Sequence, residues 1–466
     1  METQNHIDQH DPGRIYRASA FAVESLEGRT FLSTYTVSNT NDTGAGSLRQ
    51  AITDANNHAG ADVVHFAIGS GAKTISPKTQ LPGLQDNTTL DATSQPGYAG
   101  KPLITLNGSS AGNIDGVRIY GTNCTVKGLN IQHFKGSGML VTGKGGNHIS
   151  ANYIGTDASG VAAAGNGGTG ILLQSPNNVV GGTNLSDRNV ISANGSVGVM
   201  CYTSVAKGNQ ILGNYLGTNA AGTGKLGNGT NGVQIDGASG NLVAHNVASG
   251  NNRDGILVIN AGASLNTIQS NYCGTNAAGT GRLGNGWYGI ECSQHDNSIG
   301  GRHAGNIASA NGYGGIVLYL SSAYGNRVQG NLIGTDKTGT KDLGNIGRGM
   351  ELTNGAHDNR VGGTRGYEAN TISGNDLGGV GIYSGSKNNL IQRNNIGTTA
   401  NGKSALANTG VGVIVTDNAG MNYIGGKGTL NIIAFNTDYG VVISKGLSAT
   451  LGSNSIHDNV KGTILK

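Results

Sequence analysis

The sequence predicts an all-β chain, a right-handed parallel β-helix (solenoid) of about twelve turns with a short N-terminal capping helix. Three observations lead to this prediction. Glycine accounts for 83 of the 466 residues, and each glycine inside a helix destabilises it by about 1 kcal/mol. Aliphatic residues return at intervals of roughly 30 residues, the period of a repeat protein. Glycine and asparagine cluster between them, where tight corners are needed.

The most regular feature is an asparagine followed, two positions later, by an aliphatic residue. Counting one related residue at each end, the series contains Val126, Ile149, Val180, Ile211, Val243, Ile268, Ile299, Val328, Val361, Ile391, Ile424 and Leu451. In every second turn another apolar residue follows five positions later, at Ile154, Leu216, Cys273, Ile333 and Ile396. Gly-Thr comes directly after each of these five, and we interpret the following loops as turns rather than calcium sites, because their acidic position is not retained.

A third apolar pair in each turn, such as Val233 and Ile235, completes a pattern of three short strands per turn. Alternate residues of a strand point inwards, and successive turns bury the apolar face that a single turn leaves exposed. Asparagines that align from turn to turn are expected to form hydrogen-bonded ladders. Parallel crossovers are right-handed, which sets the predicted hand of the coil.

Three parts of the chain are predicted. Residues 1–33 are a flexible leader or export segment, residues 34–110 form the N-terminal cap and first turns, and residues 111–466 form the β-helix. Ser47 can cap a helix whose apolar residues recur with helical spacing at Leu48, Ala51, Ile52 and Ala55. Such a helix would cover the open edge of the first turn.

Two stretches near the N-terminus resemble known proteins. AFAVESLEGRTFLS (20–33) resembles the LEPR-type N-terminal motif of planctomycete-like exported proteins. TYTVSNTNDTGAGSLRQAI (34–52) and LDATSQPGYAGKPLITLNGSS (90–110) resemble the entry segments of bacterial right-handed parallel β-helix repeat proteins of the carbohydrate-active type. The resemblance implies a secreted or cell-surface bacterial protein that meets a polysaccharide or oligosaccharide.

Composition excludes several other functions. A net charge of +4, with no basic aromatic run, gives no indication of nucleic-acid binding. No apolar stretch is long enough to span a membrane. The four cysteines, at positions 124, 201, 273 and 292, are expected to be buried thiols, and no Cys/His spacing indicates zinc. We therefore predict no cofactor and no metal, and the sequence does not indicate an oligomeric state.

The candidate functional residues gather on the outward face of the third strand. Placed in register, the middle turns bring together Tyr202, Asp236, Glu291, Tyr319, Glu351 and Tyr383. The position ahead of this strand is occupied in successive turns by Asp254, Tyr288, Gly314 and Arg348, and Trp287 is the single tryptophan. Aromatic side chains of this kind stack on sugar faces. We predict substrate contacts from Tyr202, Trp287, Tyr288, Tyr319, Arg348 and Tyr383.

Glu291, Glu351 and Asp236 are the predicted catalytic residues. The two glutamates are two turns apart, so their backbones should be about 9.6 Å apart. An inverting glycosidase holds its carboxyl groups at roughly 6.5–9.5 Å, whereas a retaining one needs about 5–5.5 Å. The spacing therefore favours an inverting glycoside hydrolase in which one glutamate is the general acid, and the other, held ionised by a neighbour such as Arg348, activates water.

Two alternatives remain open at this point. Arg327 and Arg360, with His357 and Asp358 nearby, form a second face that suits a polysaccharide lyase or epimerase, because cations neutralise a uronic acid carboxylate. The other alternative is a non-catalytic cell-surface or adhesive β-helix protein. In that case, the outward glutamates and tyrosines are ordinary solvated residues.

Overall fold

The computed structural model describes residues 32–466, and these form three parallel β-sheets along one right-handed coil. Each strand pairs with the equivalent strand of the next turn, so the predicted parallel β-helix is confirmed. Positions 1–31 are outside the described residues. They include nearly all of the predicted leader (1–33) and of the LEPR-like stretch (20–33).

The three sheets contain 15, 14 and 13 strands. Sheet 1 consists of Ser33–Val37, Asp62–Phe66, Thr88–Asp91, Thr125–Lys127, His148–Ser150, Val179–Gly181, Gln210–Leu212, Leu242–Ala244, Thr267–Gln269, Ser298–Gly300, Arg327–Gln329, Arg360–Gly362, Leu390–Gln392, Asn422–Ile424 and Ala449–Leu451. Sheet 2 consists of Lys73–Ile75, Ile104–Asn107, Leu129–Gln132, Tyr153–Ile154, Val190–Ile191, Tyr215–Leu216, Val247–Ala248, Tyr272–Cys273, Ile307–Ala308, Leu332–Ile333, Thr371–Ile372, Asn395–Ile396, Ile432–Ala434 and Ser455–His457. Sheet 3 consists of Val117–Ile119, Met139–Val141, Ile171–Leu173, Val199–Tyr202, Val233–Asp236, Ile256–Ile259, Tyr288–Cys292, Gly314–Tyr319, Met350–Thr353, Val380–Ile382, Val413–Val415, Tyr439–Ile443 and Gly462–Leu465.

The predicted aliphatic series forms one continuous column in sheet 1, and its members from Val126 to Ile424 are fully buried. The column starts earlier than the sequence pattern indicates, because Val64 pairs with Leu90 and Leu90 pairs with Val126. Neither residue follows an asparagine two positions earlier, so the repeat count omits them. Residues 34–110 thus contribute strands to sheets 1 and 2 as well as the capping helix.

One α-helix, Leu48–Asn57, begins where the sequence predicts it. The Ser47 hydroxyl caps it by accepting a hydrogen bond from the Gln50 amide at 3.2 Å. The four apolar residues with helical spacing are all buried. Within the described part of the chain, three 3-10 helices, at Ala92–Ser94, Leu185–Asp187 and Gly366–Glu368, occupy corners between strands.

Buried asparagines form three hydrogen-bonded ladders along the corners of the coil. One runs from Asn147 to Asn422, the second from Asn152 to Asn454, and the third from Asn166 to Asn459. A typical rung is the bond from Asn246 Nδ2 to Asn271 Oδ1 at 3.0 Å. Because buried backbone groups at corners have no strand partner, these amides supply the missing donors and acceptors. The ladders hold successive turns in register.

The remaining sequence expectations concern cysteines and loops. All four cysteines are free and buried. The Gly-Thr loops are compact turns closed by short antiparallel bridges, such as the pairing of Thr275 with Arg282. Within residues 32–466, no helix is long and apolar enough to cross a membrane.

Candidate active site

Glu291 and Glu351 lie in one outward column of sheet 3. Glu291 pairs in register with Val317, and Val317 pairs with Glu351. The two glutamates therefore stand on alternate turns with one apolar residue between them. They line a cleft of about 340 Å³. The other large side chains that line this cleft are Trp287, Tyr288, Tyr313, Tyr319 and Tyr383.

The side chain of Tyr288 extends along the cleft and reaches Glu351. Its hydroxyl donates a hydrogen bond to Glu351 Oε2 at 3.1 Å, across two turns of the coil. The ring passes over Gly314, where an added Cβ would lie 2.9 Å from Tyr288 Cε1. Gly314 is the register partner of Tyr288 in the next turn, so its missing side chain gives the ring its path. The tyrosine thereby orients the Glu351 carboxylate.

The two glutamates have different surroundings. Burial raises the pKa of Glu291, which favours its protonated form. Glu351 faces the hydroxyl of Tyr288. Burial and, second, the negative charge of Glu351 raise the pKa of both Tyr288 and Tyr383. Both tyrosines therefore remain hydroxyl donors at ordinary pH. The Tyr288 hydroxyl donates to Glu351, whereas burial raises the pKa of Glu291, so the two carboxyl groups differ in their hydrogen bonding and in their surroundings.

Asp254 is a third carboxyl group next to this pair and is 1% exposed. Its Oδ1 accepts a hydrogen bond from the Tyr288 amide at 3.0 Å. Burial and, second, the charge of Glu291 raise the pKa of Asp254 to about 7. The sequence places Asp254 ahead of the third strand but gives no indication that it is buried.

A chain of hydrogen bonds joins the predicted catalytic residue Asp236 to the cleft. It runs from Asp236 through Gln234, Asn231, Asp254 and Tyr288 to Glu351, with distances of 3.0 to 3.1 Å. The chain passes through the backbone amides of Asp254 and Tyr288. Asp236 itself does not line the cleft, and both of its oxygens accept amide donors, one of them from Asn260 at 2.7 Å. Its contact with the cleft is therefore indirect.

The wall of the cleft is aromatic. The ring of Tyr313 lies 6.0 Å from that of Trp287 and 5.9 Å from that of Tyr288, in tilted arrangements. Tyr313 is absent from the sequence prediction, yet its amide bonds to the Trp287 carbonyl at 2.9 Å, so the two residues occupy equivalent positions on successive turns. Extending the register to the corner ahead of sheet 3 would have found it. Trp287 and Tyr313 are 40% and 59% exposed.

Two other predicted substrate contacts lie away from the cleft lining. Arg348 does not form an ion pair with Glu351, because its Nη1 donates to the Leu377 carbonyl at 2.7 Å. The side chain crosses Gly381, where an added Cβ would lie 2.7 Å from its Cδ. Tyr202 is exposed on the same sheet, paired in register with Asp236 and upstream of Glu291.

The arginine and histidine face lies on and beside sheet 1, away from the cleft. Arg327 and Arg360 are exposed register partners, and among the described residues no carboxylate lies within 4.0 Å of either guanidinium. His357 Nδ1 lies 2.6 Å from Asp358 Oδ2, and its ring stacks on Tyr324 at 5.2 Å. The imidazole is thus held at the corner of the coil, between the carboxylate and the phenol ring.

No protein-family model and no curated protein matches the chain. Among solved structures, the Dettilon tailspike protein is 16% identical with a TM-score of 0.46, over 88% of this chain and 65% of the tailspike chain. The A-module of the Azotobacter vinelandii mannuronan C-5 epimerase AlgE6 is 15% identical, with a TM-score of 0.43, over 92% of this chain and 97% of the module. The catalytic unit of a GH87 alpha-1,3-glucanase from Streptomyces thermodiastaticus is 13% identical, with a TM-score of 0.41, over 91% and 70% of the two chains. At these identities and TM-scores the comparisons do not assign a reaction to the cleft.

Proposed function

We propose that the protein is an extracellular polysaccharide-acting enzyme, a glycoside hydrolase whose active site is the cleft on sheet 3. The observation that supports this is the placement of two glutamates on alternate turns of one cleft, in different surroundings. Glu291, with its raised pKa, is the general acid. Glu351, oriented by Tyr288, is the general base.

The proposed reaction inverts the anomeric carbon. Glu291 gives its proton to the glycosidic oxygen as the bond from that oxygen to the anomeric carbon breaks. Glu351 takes a proton from a water molecule, whose oxygen forms the new bond from the opposite side. Backbones about 9.6 Å apart leave room for that water between the carboxyl groups.

The remaining predicted contacts fit a substrate longer than the cleft. The partly exposed rings of Trp287 and Tyr313 are proposed to stack on sugar rings. Tyr202 and Arg348 lie along the same sheet and are proposed to meet sugar units beyond the cleft. Export, implied by the resemblance of residues 20–33, is part of the same proposal, because a polymer of this kind is met outside the cell.

A lyase or epimerase reaction at the arginine and histidine face is the second candidate. Arg327 and Arg360 lie side by side without a carboxylate partner within 4.0 Å in residues 32–466. Adjacent like charges destabilise a sheet unless an anion neutralises them. A uronic acid carboxylate would meet that need.

A screen of neutral and uronic polysaccharides distinguishes a hydrolase from a lyase, and proton NMR of the uronic polymers detects an epimerase by the changed sugar configuration. Hydrolysis releases reducing ends without creating a double bond, whereas a lyase creates an unsaturated uronate that absorbs in the ultraviolet. New reducing ends without ultraviolet absorbance are expected. Release of unsaturated product, lost in Arg327→Ala and retained in Glu351→Gln, would instead support the second candidate.

Replacing Tyr288 by phenylalanine should lower kcat by about tenfold and lower the free energy of unfolding by about 1.5 kcal/mol. The variant keeps the ring over Gly314 and removes only the hydroxyl that orients Glu351. A net hydrogen bond to a charged group contributes about 1.5 kcal/mol, which corresponds to roughly tenfold in rate. Steady-state kinetics on the polysaccharide found in the screen would measure this. Tyr423→Phe on sheet 1 is the control, and equal kcat in both variants would contradict the orienting role of Tyr288.

A further inference from the structure

The charged side chains that line the cleft are all acidic. Glu291 and Glu351 line the cleft, and Asp254 is buried beside Glu291. Burial and, second, the charge of Glu291 raise the pKa of Asp254. No lysine, arginine or histidine of the described residues lines this cleft. A ligand that enters it therefore meets carboxyl groups, hydroxyl groups and aromatic rings.

Two arginines flank the cleft, and both are already engaged. The Arg253 guanidinium lies 4.8 Å from the centre of the Trp287 ring, on which it packs. Arg348 donates to the Leu377 carbonyl at 2.7 Å. An added Cβ at Gly378 would lie 2.7 Å from Arg348 Nη1, so the guanidinium is held close against this backbone. Neither cation is directed at a sugar bound between the glutamates.

We propose that the cleft selects an uncharged sugar and rejects uronic acids, an inference that rests on the proposed function for its polysaccharide substrate. A uronate carboxylate about 6 Å from the ionised Glu351 would be repelled strongly enough to weaken binding by about 100-fold, at an effective dielectric constant near 20. A neutral hydroxymethyl group in the same position carries no such penalty. Hydroxyl donors on the sugar also suit the carboxylate and phenol oxygens that line the site.

Matched pairs of oligosaccharides test the inference. The probes are neutral glucan and mannan oligosaccharides of several linkages, each compared with its counterpart oxidised at C6 to the uronate. Binding to the full chain carrying Glu291→Gln is measured by calorimetry, so that turnover does not consume the probe. We expect at least one neutral probe to bind ten- to a hundredfold more tightly than its oxidised counterpart. The double variant Glu291→Gln/Glu351→Gln should lose most of that difference in affinity. The control double variant Glu291→Gln/Glu368→Gln, whose second change lies in the 3-10 helix Gly366–Glu368, should retain it.

The outcomes separate this inference from the proposed reaction. Equal or tighter binding of the oxidised probe, or no binding of either member of any pair, overturns the neutral-sugar inference. Discrimination that persists unchanged in the double variant also overturns it, because the glutamates would not be its cause. Neutral binding with the expected discrimination, but no hydrolysis by the unmodified protein, supports the inference and contradicts the proposed hydrolase.

Discussion

Glu291→Gln and Glu351→Gln are each expected to lower kcat on the polysaccharide by about 10²- to 10⁴-fold, the usual contribution of a general acid or base. Glutamine keeps the shape of either side chain and removes its ability to give or take a proton. Because both residues are outward on a preformed sheet, neither change should alter the fold. Glu368→Gln, an identical substitution on another face, should retain full activity.

An activated substrate distinguishes the two roles. An aryl oligosaccharide whose leaving group is a nitrophenolate needs no proton on departure, so Glu291→Gln should recover most of its rate on it. Glu351→Gln should remain slow, because the attacking water still needs a base. Kinetics on both substrates would measure this crossover. Full activity in both variants on the natural polymer would show that the chemistry takes place elsewhere on the protein.

The position of the two glutamates on the coil could be predicted from the sequence, because in a solenoid residues that are one repeat apart in sequence lie next to each other on successive turns. Once the buried column containing Ile290 and Ile316 is in register, the next residue of each strand must point outward. Glu291, Val317 and Glu351 then follow in successive turns without any knowledge of side-chain conformation. The same argument predicts the asparagine ladders, whose members recur with the same period.

Features that depend on side-chain packing could not be predicted in this way. The Tyr288 side chain can reach Glu351 because Gly314 has no side chain in its way. The repeat pattern shows Gly314 only as a corner residue and gives no sign of this contact. The repeat pattern predicts that Arg348 holds a glutamate ionised, but its hydrogen-bond partner is the backbone carbonyl of Leu377. The periodicity gives the face of the coil that each residue occupies, whereas rotamers decide which groups meet on that face.

Sequence spacing also gives little information about burial ahead of a strand, and Asp254 is the example with the greatest consequence. It is 1% exposed, and its partners are the amide of Tyr288 and the side chain of Asn231. Its pKa is raised from 3.8 to about 7, first by burial and then by the charge of Glu291. The folded protein therefore binds this proton more tightly than the unfolded chain does.

A folded-state pKa above the unfolded value means that stability is lost as the pH rises from about 4 to about 7. With about 1.4 kcal/mol for each pH unit, Asp254 lowers the free energy of unfolding by about 4 kcal/mol above pH 7 relative to pH 4. Asp254→Asn keeps the acceptor for the Tyr288 amide and cannot ionise. The variant should therefore be more stable than the unmodified protein by up to about 4 kcal/mol at pH 8, and nearly equal to it at pH 4.

Urea unfolding at a series of pH values would measure this difference, with the exposed Asp376→Asn as the control that should follow the unmodified protein. Equal pH dependence in Asp254→Asn and the unmodified protein would contradict the raised pKa. A buried carboxyl group that destabilises the fold at neutral pH is more often retained at a site of function than in a scaffold. If Asp254→Asn gains stability and also moves the upper limb of the pH–activity profile, the titrations of Asp254 and Glu291 are coupled. A gain in stability with an unchanged profile would restrict Asp254 to holding the Tyr288 backbone in place.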